Sequence, residues 1–411
     1  MANKISATLM NKNTEVVKLN GEIQRNALNI PYFHIDKAEI INKKLAPPCI
    51  IDANECVEAL NYWFKKRIIS ENRYDFPTGK SVYWDPDSTQ PHFFSMTDQY
   101  WVKYRDTETW DKYNFFTNNF KTVFGDTTFS KNIVNLPRIN LDHNAPELTT
   151  NGLLKKKWVK ENGKNYLIKS MSKDFCQEPL NEYLVSKLLG KINIIDFVKY
   201  ELRIEGYEVC SICENFVNEN TEFVPAWYLY RQIPLKKEEM QNTAEHTYDV
   251  LIRCIERFEI PHAKEFIDKM IIVDRLTMNF DRHLGNFGFL RDVNTGDYIG
   301  PAPLFDFGNA FFPESFYQEH SKKTEIFKKR EKYLYKSGKF AEYKSRLLPN
   351  NTLDEIMNDL YNYAYLSDDA KKEINKEFCK NLDDVEARIQ EYYKNSYNRN
   401  QKEQNFRIKG F

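Results

Sequence analysis

Ile271-Ile-Val-Asp-Arg-Leu-Thr-Met-Asn-Phe280 runs directly into Asp281-Arg-His-Leu-Gly-Asn286 and Phe287-Gly-Phe-Leu290, and Leu304-Phe-Asp-Phe-Gly308 follows shortly after. Ile271, Ile272, Leu276 and Phe280 recur at helical spacing, which predicts a helix running into Asp281. A polar loop and a short apolar strand come next. Two carboxylates, Asp281 and Asp306, and one carboxamide, Asn286, flank that loop and strand. Phosphoryl transfer from a magnesium nucleotide needs hard oxygen ligands for the metal and a base beside the attacking hydroxyl.

A phosphoryl group in flight is stabilised mainly by positioning and charge neutralisation. In the protein-kinase pattern an Asp accepts the hydroxyl proton, and an Asn further along the loop binds metal. The Asp of D-F-G binds the metal that bridges the phosphates. Asp281 and Asn286 have the kinase spacing, and residues 306–308 read D-F-G. Asp281 alone reads as a helix-terminal Asp in a polar turn, and Asp306 alone as a turn residue. Their conjunction with Asn286 carries the signal.

Protein kinases place His-Arg before the Asp, whereas here Arg282 and His283 follow it. D-R-H-x-x-N followed by an apolar D-F-G strand resembles the phosphatidylinositol-kinase-like branch, and within it the bacterial HipA-like Ser/Thr kinases. The resemblance implies an α+β, bilobal protein-kinase-like fold with a β-rich N-lobe and a helical C-lobe. It implies ATP and Mg²⁺ as ligands and transfer of the γ-phosphoryl group to a protein Ser/Thr hydroxyl. Asp281 then orients and deprotonates the acceptor, and Asn286 and Asp306 hold Mg²⁺. His283 belongs to the catalytic loop, packed under it or hydrogen-bonded to Asp306, and Arg282 reads as structural. A helix-turn-helix antitoxin is an implied partner, as in many HipA-like toxin–antitoxin systems.

Upstream, Lys169 lies in the apolar stretch Tyr166-Leu-Ile-Lys-Ser-Met171. A lysine in a strand needs a partner or an exposed face. Glu182 lies early in a helix predicted from Pro179 to a Gly190 cap, with Leu184, Val185, Leu188 and Leu189 as its buried face. A Lys169–Glu182 pair would set an ammonium on the phosphates. Glu178 competes for the partner role, and a solvent-facing Lys169 is the bland alternative. Thr149-Thr150-Asn151-Gly152 stands where a phosphate-covering loop belongs, and Gly152 permits a tight turn. The loop lacks G-x-G-x-x-G and also reads as an ordinary turn. In HipA-like kinases a hydroxyl of this loop can be autophosphorylated, and Thr149 and Thr150 occupy the matching region. Glu214-Asn-Phe216-Val217 is the expected hinge whose backbone binds adenine.

With 411 residues, the chain has room for two or three domains. We divide it into an N-terminal α+β accessory domain (1–145), an N-lobe (146–225) and a helical C-lobe (226–411). Lys plus Arg (59) equals Asp plus Glu (59), which argues against a nucleic-acid partner and an acidic membrane surface. No apolar run approaches ~20 residues and the N-terminus lacks a secretory h-region, so a cytoplasmic location is expected. Seven scattered cysteines read as reduced thiols. Cys210-Ser-Ile-Cys213 lacks a second ligand pair and reads as buried strand rather than zinc site.

In the first block, Ile5–Met10 and Thr14–Leu19 read as strands around a turn, and Asp52–Ile69 as a helix capped by Asp52 or Asn54. Lys65-Lys-Arg67 reads as its solvated end, and Ser70–His92 as loop. The aromatic run through Phe94, Trp101, Trp110, Phe115, Phe116 and Phe120 reads as packing rather than a base-stacking platform. Residues 313–411 read as helical, with Leu353, Ile356, Met357, Leu360, Tyr361 and Ala364 in register and Lys328–Lys332 on a solvated face. A lipid or small-molecule kinase, or a nucleotide-binding pseudokinase, is the competing reading. The presence of the lysine, both aspartates and the asparagine weighs against the pseudokinase.

Overall fold

β1 (Ile5–Asn11) and β2 (Thr14–Arg25) form a hairpin closed over Lys12, which adopts a left-handed φ of 49°. This is seen in a computed structural model, which describes residues 4–26, 30–51, 56–69, 73, 82–84, 91–129, 139–141, 144–150, 152–172, 177–241, 243–311, 326–337, 339, 376 and 387. β3 (Pro31–Ile40) extends the sheet beyond β2. α1 (Cys56–Lys66) buries Leu60, Trp63 and Phe64 in the core that covers it. The expected caps Asp52 and Asn54 lie outside the described residues. β4 (Val82–Trp84) breaks the stretch read as loop, and β5 (Tyr100–Lys103) completes the order β3-β2-β1-β5.

Arg67 departs from the solvated reading. It is buried, ion-paired to Asp98, and donates to Phe93 O (2.8 Å) and Tyr100 O (3.1 Å). Lysine and arginine stems can reach inward when a carboxylate and carbonyls await the head group, which composition does not reveal. α2 (Trp110–Tyr113) and α3 (Val123–Phe129) follow, and β6 (Ile139–Leu141) pairs in parallel with β4. The aromatic run is a packed core. Phe94 stacks on Trp101 at 5.4 Å, and Trp110, Phe115 and Trp158 join them.

Trp158 belongs to β7 (Lys156–Glu161), which turns into β8 (Lys164–Lys169). α4 (Glu178–Ile192), β9 (Tyr200–Glu205) and β10 (Glu208–Glu214) complete an antiparallel sheet of order β7-β8-β10-β9. α4 passes through Gly190. Asn193, at φ 50°, caps it instead and donates its N–H to Leu189 O at 2.8 Å. Asparagine tolerates the left-handed cap nearly as well as glycine. Cys210 and Cys213 are buried free thiols in β10.

β11 (Thr221–Pro225) lies just past a polar stretch, and it finds its pairing in β12. α5 (Ala226–Tyr230), α6 (Lys237–Gln241), α7 (Thr243–Arg257) and α8 (Ala263–Leu276) follow, then β12 (Gly288–Asp292) and β13 (Tyr298–Pro301) in the order β11-β12-β13. The largest core joins α4, α7 and α8 to Phe287, Phe289, Leu304 and Phe307.

α8 stops at Leu276 and does not reach Asp281. Thr277 Oγ1 donates back to Val273 O (2.9 Å), and Met278 turns left-handed at φ 52°. Apolar periodicity persists past the helix end because the loop is buried too. α9 (Lys328–Lys336) carries the Lys328–Lys332 charge run, yet Arg330 is mostly buried and paired with Asp268 at 2.6 Å. The periodic residues from Leu353 to Ala364 lie outside the described residues. No helix among the described residues is long and apolar enough to cross a membrane.

Candidate active site

Lys169 ends β8 and Ser211 faces it across the ladder in β10. α4 runs beneath that pair, and its Glu182 is 1% exposed. A buried carboxylate needs compensation. Glu182 receives it from the Lys169 ammonium, by a short ion pair, and from the Ser211 hydroxyl, which donates to its other oxygen. Glu178 is not the partner. Its Oε2 accepts the N–H groups of Ser172 and Gln177, both at 3.2 Å, at the start of α4.

Lys169 Nζ also lies 3.2 Å from Asp306 Oδ1. Burial alone would lower the lysine's pKa, but Glu182 and Asp306 outweigh it and hold the ammonium well above its ordinary value. Burial would likewise raise Asp306, yet Lys169, Lys156 and Arg282 pull it down to about 2. Asp306 is therefore an anion at neutral pH, with its side chain 37% exposed.

Asp306 has φ 63°, a conformation that a non-glycine residue keeps only when its surroundings impose it. Those surroundings are specific. Its N–H donates to Tyr200 Oη (3.3 Å), and its carbonyl accepts from Asn279 Nδ2 (3.5 Å). Phe307 next to it is fully buried, and Gly308 O accepts from Asn181 Nδ2 at 2.8 Å. α4 thus holds both the lysine partner and the D-F-G backbone.

The loop after α8 is tied to the same segment through Arg282. Its guanidinium makes a bidentate pair with Asp274 (2.9 Å to each oxygen). Nη1 then donates to Asn286 O (2.7 Å) and Phe305 O (2.6 Å). One buried cation therefore joins the backbone of Asn286 to the residue before Asp306. Asn286 Nδ2 donates to Asp281 O at 3.2 Å, which leaves Oδ1 as the oxygen available to a ligand. Asp281 Oδ2 accepts from Asn309 Nδ2 at 2.9 Å.

His283 is exposed, and its Nδ1 accepts the Gly285 N–H at 3.0 Å. The exposed ring does not pack under the loop. Its ring closes the turn on the backbone of Gly285, a local bond that sequence order does not disclose.

Thr149 and Thr150 end a short 3₁₀ turn, Pro146–Thr149, with both hydroxyls turned inward. Thr149 Oγ1 donates to Phe94 O (2.8 Å). Thr150 Oγ1 donates to Pro146 O (2.8 Å) and accepts from Trp158 Nε1 (2.9 Å). Asn151 lies outside the described residues, and Gly152 has φ 106°. At the hinge, the Glu214 side chain is exposed and paired with Lys164 at 2.9 Å, while its backbone pairs with Tyr166 of β8. Phe216 stacks on Phe305 at 5.7 Å. Residues 96–99 brace this segment. Met96 O accepts from Asn215 Nδ2 (2.9 Å), and Gln99 Nε2 donates to Asn218 O (2.6 Å) and Thr221 O (2.8 Å).

The arrangement can neutralise a polyanion at Lys169 and offers hard oxygens at Asp306, Asn286 and Asp281. That donor set fits Mg²⁺, which usually takes one or two protein oxygens and completes its shell with water and phosphate. Asn181, Tyr200, Ser211, Asp274 and Asn309 were not legible as site residues. Only Ser211 left a signal, its place opposite a strand lysine.

No family model matches the chain. A stretch of 52 residues is 46% identical to the serine/threonine-protein kinase CtkA of Helicobacter pylori, and it spans 13% of this chain and 16% of that kinase. The crystal structure of the H. pylori proinflammatory kinase CtkA superposes with a TM-score of 0.46 at 17% identity, over 60% of this chain and 94% of that one. HipA in the Shewanella oneidensis complex with HipB and operator DNA gives 0.45 at 11% identity, over 94% and 97%. Over those 52 residues the chain is similar to a serine/threonine-protein kinase, of whose length it spans less than a fifth.

Proposed function

We propose that the chain is an ATP- and Mg²⁺-dependent kinase acting on a Ser/Thr hydroxyl of a protein. The observation that carries this reading is the joint made by Lys169, Glu182 and Asp306, with Arg282 linking the backbones of Asn286 and Phe305. On this reading the β7-β8-β10-β9 sheet and α4 belong to a β-rich lobe. The segment from α5 onward is the helical lobe, and residues 1–145 are an accessory domain.

Asp281 would accept the proton of the acceptor hydroxyl, held in position by Asn309. The acceptor oxygen forms a bond to the γ-phosphorus as the bond to the β–γ bridging oxygen breaks. Lys169 would neutralise phosphate oxygens, fixed by Glu182. Asn286 and Asp306 would hold Mg²⁺, whose charge offsets that on the phosphates. Phe216 and the backbone of residues 214–217 are the proposed adenine contacts.

The test is γ-labelled ATP with Mg²⁺ and a cell-lysate protein pool, wild type against Asp281→Ala. Label on Ser or Thr of a protein, lost in the variant, supports the reading. Label on lipid only, or none, contradicts it. Peptide mapping of the incubated chain shows whether Thr149 or Thr150 is modified. An antitoxin partner rests on the family resemblance, and co-purification tests it.

A further inference from the structure

The basic end of α1 and the short helix α5 meet beside the loop that carries Asp281. α5 starts on that loop: Ala226 N–H donates to Phe287 O and Trp227 N–H to Leu284 O, both at 3.0 Å. The Trp227 indole lies along Gly285, 4.0 Å from where a Cβ on that glycine would stand. Gln232, just past α5, donates to Cys49 O at 2.7 Å and so ties α5 to the segment that leads into α1. Tyr62 of α1 packs edge-on against Trp227, with ring centroids 5.4 Å apart.

Two cations lie over the Tyr62 ring. The Arg231 guanidinium is 4.3 Å from its centroid and the Lys66 ammonium 5.4 Å. Both residues are exposed, as is Lys65, while Tyr62 and Trp227 are half-buried. Lys66 is the last residue of α1 and Arg231 follows the last residue of α5, where the negative end of a helix favours a cation. Among the described residues neither Lys66 nor Arg231 has a carboxylate partner, and Glu58, one turn back from Tyr62, pairs with neither. Packing α1 against α5 needs only the rings, because an exposed cation–π contact contributes little. Like charges gathered over one ring repel each other, and a carboxylate placed between them relieves that repulsion. The surface therefore lacks negative charge, and its aromatic rings offer flat area to a peptide chain.

We propose that Tyr62, Lys66, Trp227 and Arg231 form a docking surface for an acidic segment of the protein acceptor, which holds the acceptor beside the Asp281 loop. This rests on the kinase reading above and adds the chemical class of the acceptor.

The test uses the full chain, γ-labelled ATP with Mg²⁺, and three peptides of about 20 residues. Each has one central Ser, with flanks rich in Asp and Glu, in uncharged Gly and Gln, or in Lys and Arg. An extended peptide of that length spans about 70 Å, so its Ser can reach the loop while a flank lies on the surface. The expected result is a kcat/KM about ten-fold higher for the acidic peptide than for the uncharged one, with the preference falling as salt is raised. Lys66→Glu with Arg231→Glu should reverse the order in favour of the basic peptide. Lys66→Ala with Arg231→Ala should level the three peptides. The KM for ATP and the thermal unfolding midpoint should stay near wild-type values in both double variants. A purely structural pair of cations would instead change turnover of all three peptides alike. An acidic preference that survives charge reversal overturns this inference and leaves the kinase reading standing. So does a wild type that labels lysate protein without preference among the peptides, or a charge reversal that weakens only binding of a single-stranded oligonucleotide. A wild type that labels neither protein nor peptide overturns both.

Discussion

Asn309 donates its side-chain N–H to Asp281 Oδ2 at 2.9 Å, so a residue just past D-F-G orients the proposed base. The bond spans two segments that the sequence separates by a whole hairpin. We predict that Asn309→Ala lowers phosphoryl transfer about ten-fold while leaving nucleotide affinity within about two-fold, an effect on the scale of one positioned catalytic contact. Steady-state kinetics with a separate binding titration distinguishes the two quantities.

Arg282 is the joint between the loop and D-F-G. Removing one partner of a buried pair leaves the other charge uncompensated, which costs about 3–5 kcal/mol. Arg282→Met should lose that much stability in urea unfolding. Arg282→Lys keeps the charge but cannot make the bidentate bond and also reach two carbonyls, so it should lose an intermediate amount. Wild-type stability in both variants would remove Arg282 from the architecture of the site.

Glu147, in the turn before the proposed phosphate loop, is fully buried with one oxygen lacking a hydrogen bond. Burial raises its carboxyl from 4.5 to about 7, against backbone hydrogen bonds and Arg73. The folded state therefore binds this proton more tightly than the unfolded one. The contribution of Glu147 to stability is fully present below pH ~4.5, falls as pH rises toward 7, and stays low above that. The span is about 3 kcal/mol by linkage. Glu147→Gln should remove that fall, so the difference between variant and wild type should grow from pH 5 to pH 8 in denaturant unfolding. A pH-independent difference would contradict it.

Much of this site was readable in the chain because its chemistry is bound to spacing. Asp281, Asn286 and the D-F-G share one loop–hairpin unit, and Lys169 and Glu182 lie a strand and a helix start apart. The N-terminal hairpin was readable for the same local reason. What escaped reading depends on long-range neighbours. β11 is only five residues long, just past a polar stretch, and its partner β12 lies far along the chain. The α8 terminus is set by the left-handed Met278 and the inward bond of Thr277, in a stretch whose apolar spacing continues unbroken. Arg67 and Arg330 look like surface charge until Asp98 and Asp268 are found beside them. His283 points outward although the motif's residue order suggests an inward role.

In the proposed reaction Asp306 binds a metal-chelated nucleotide and Asp281 acts on the acceptor. The most direct measurement is Mg-ATP binding by calorimetry, for wild type, Asp306→Ala and Asp281→Ala. We predict that Asp306→Ala loses Mg-dependent affinity by at least ~100-fold, the scale of a lost charge-assisted contact of about 3 kcal/mol. Asp281→Ala should bind within a few-fold of wild type while transferring no phosphate. Equal Mg-ATP affinity in wild type and Asp306→Ala would contradict a metal-binding role for Asp306.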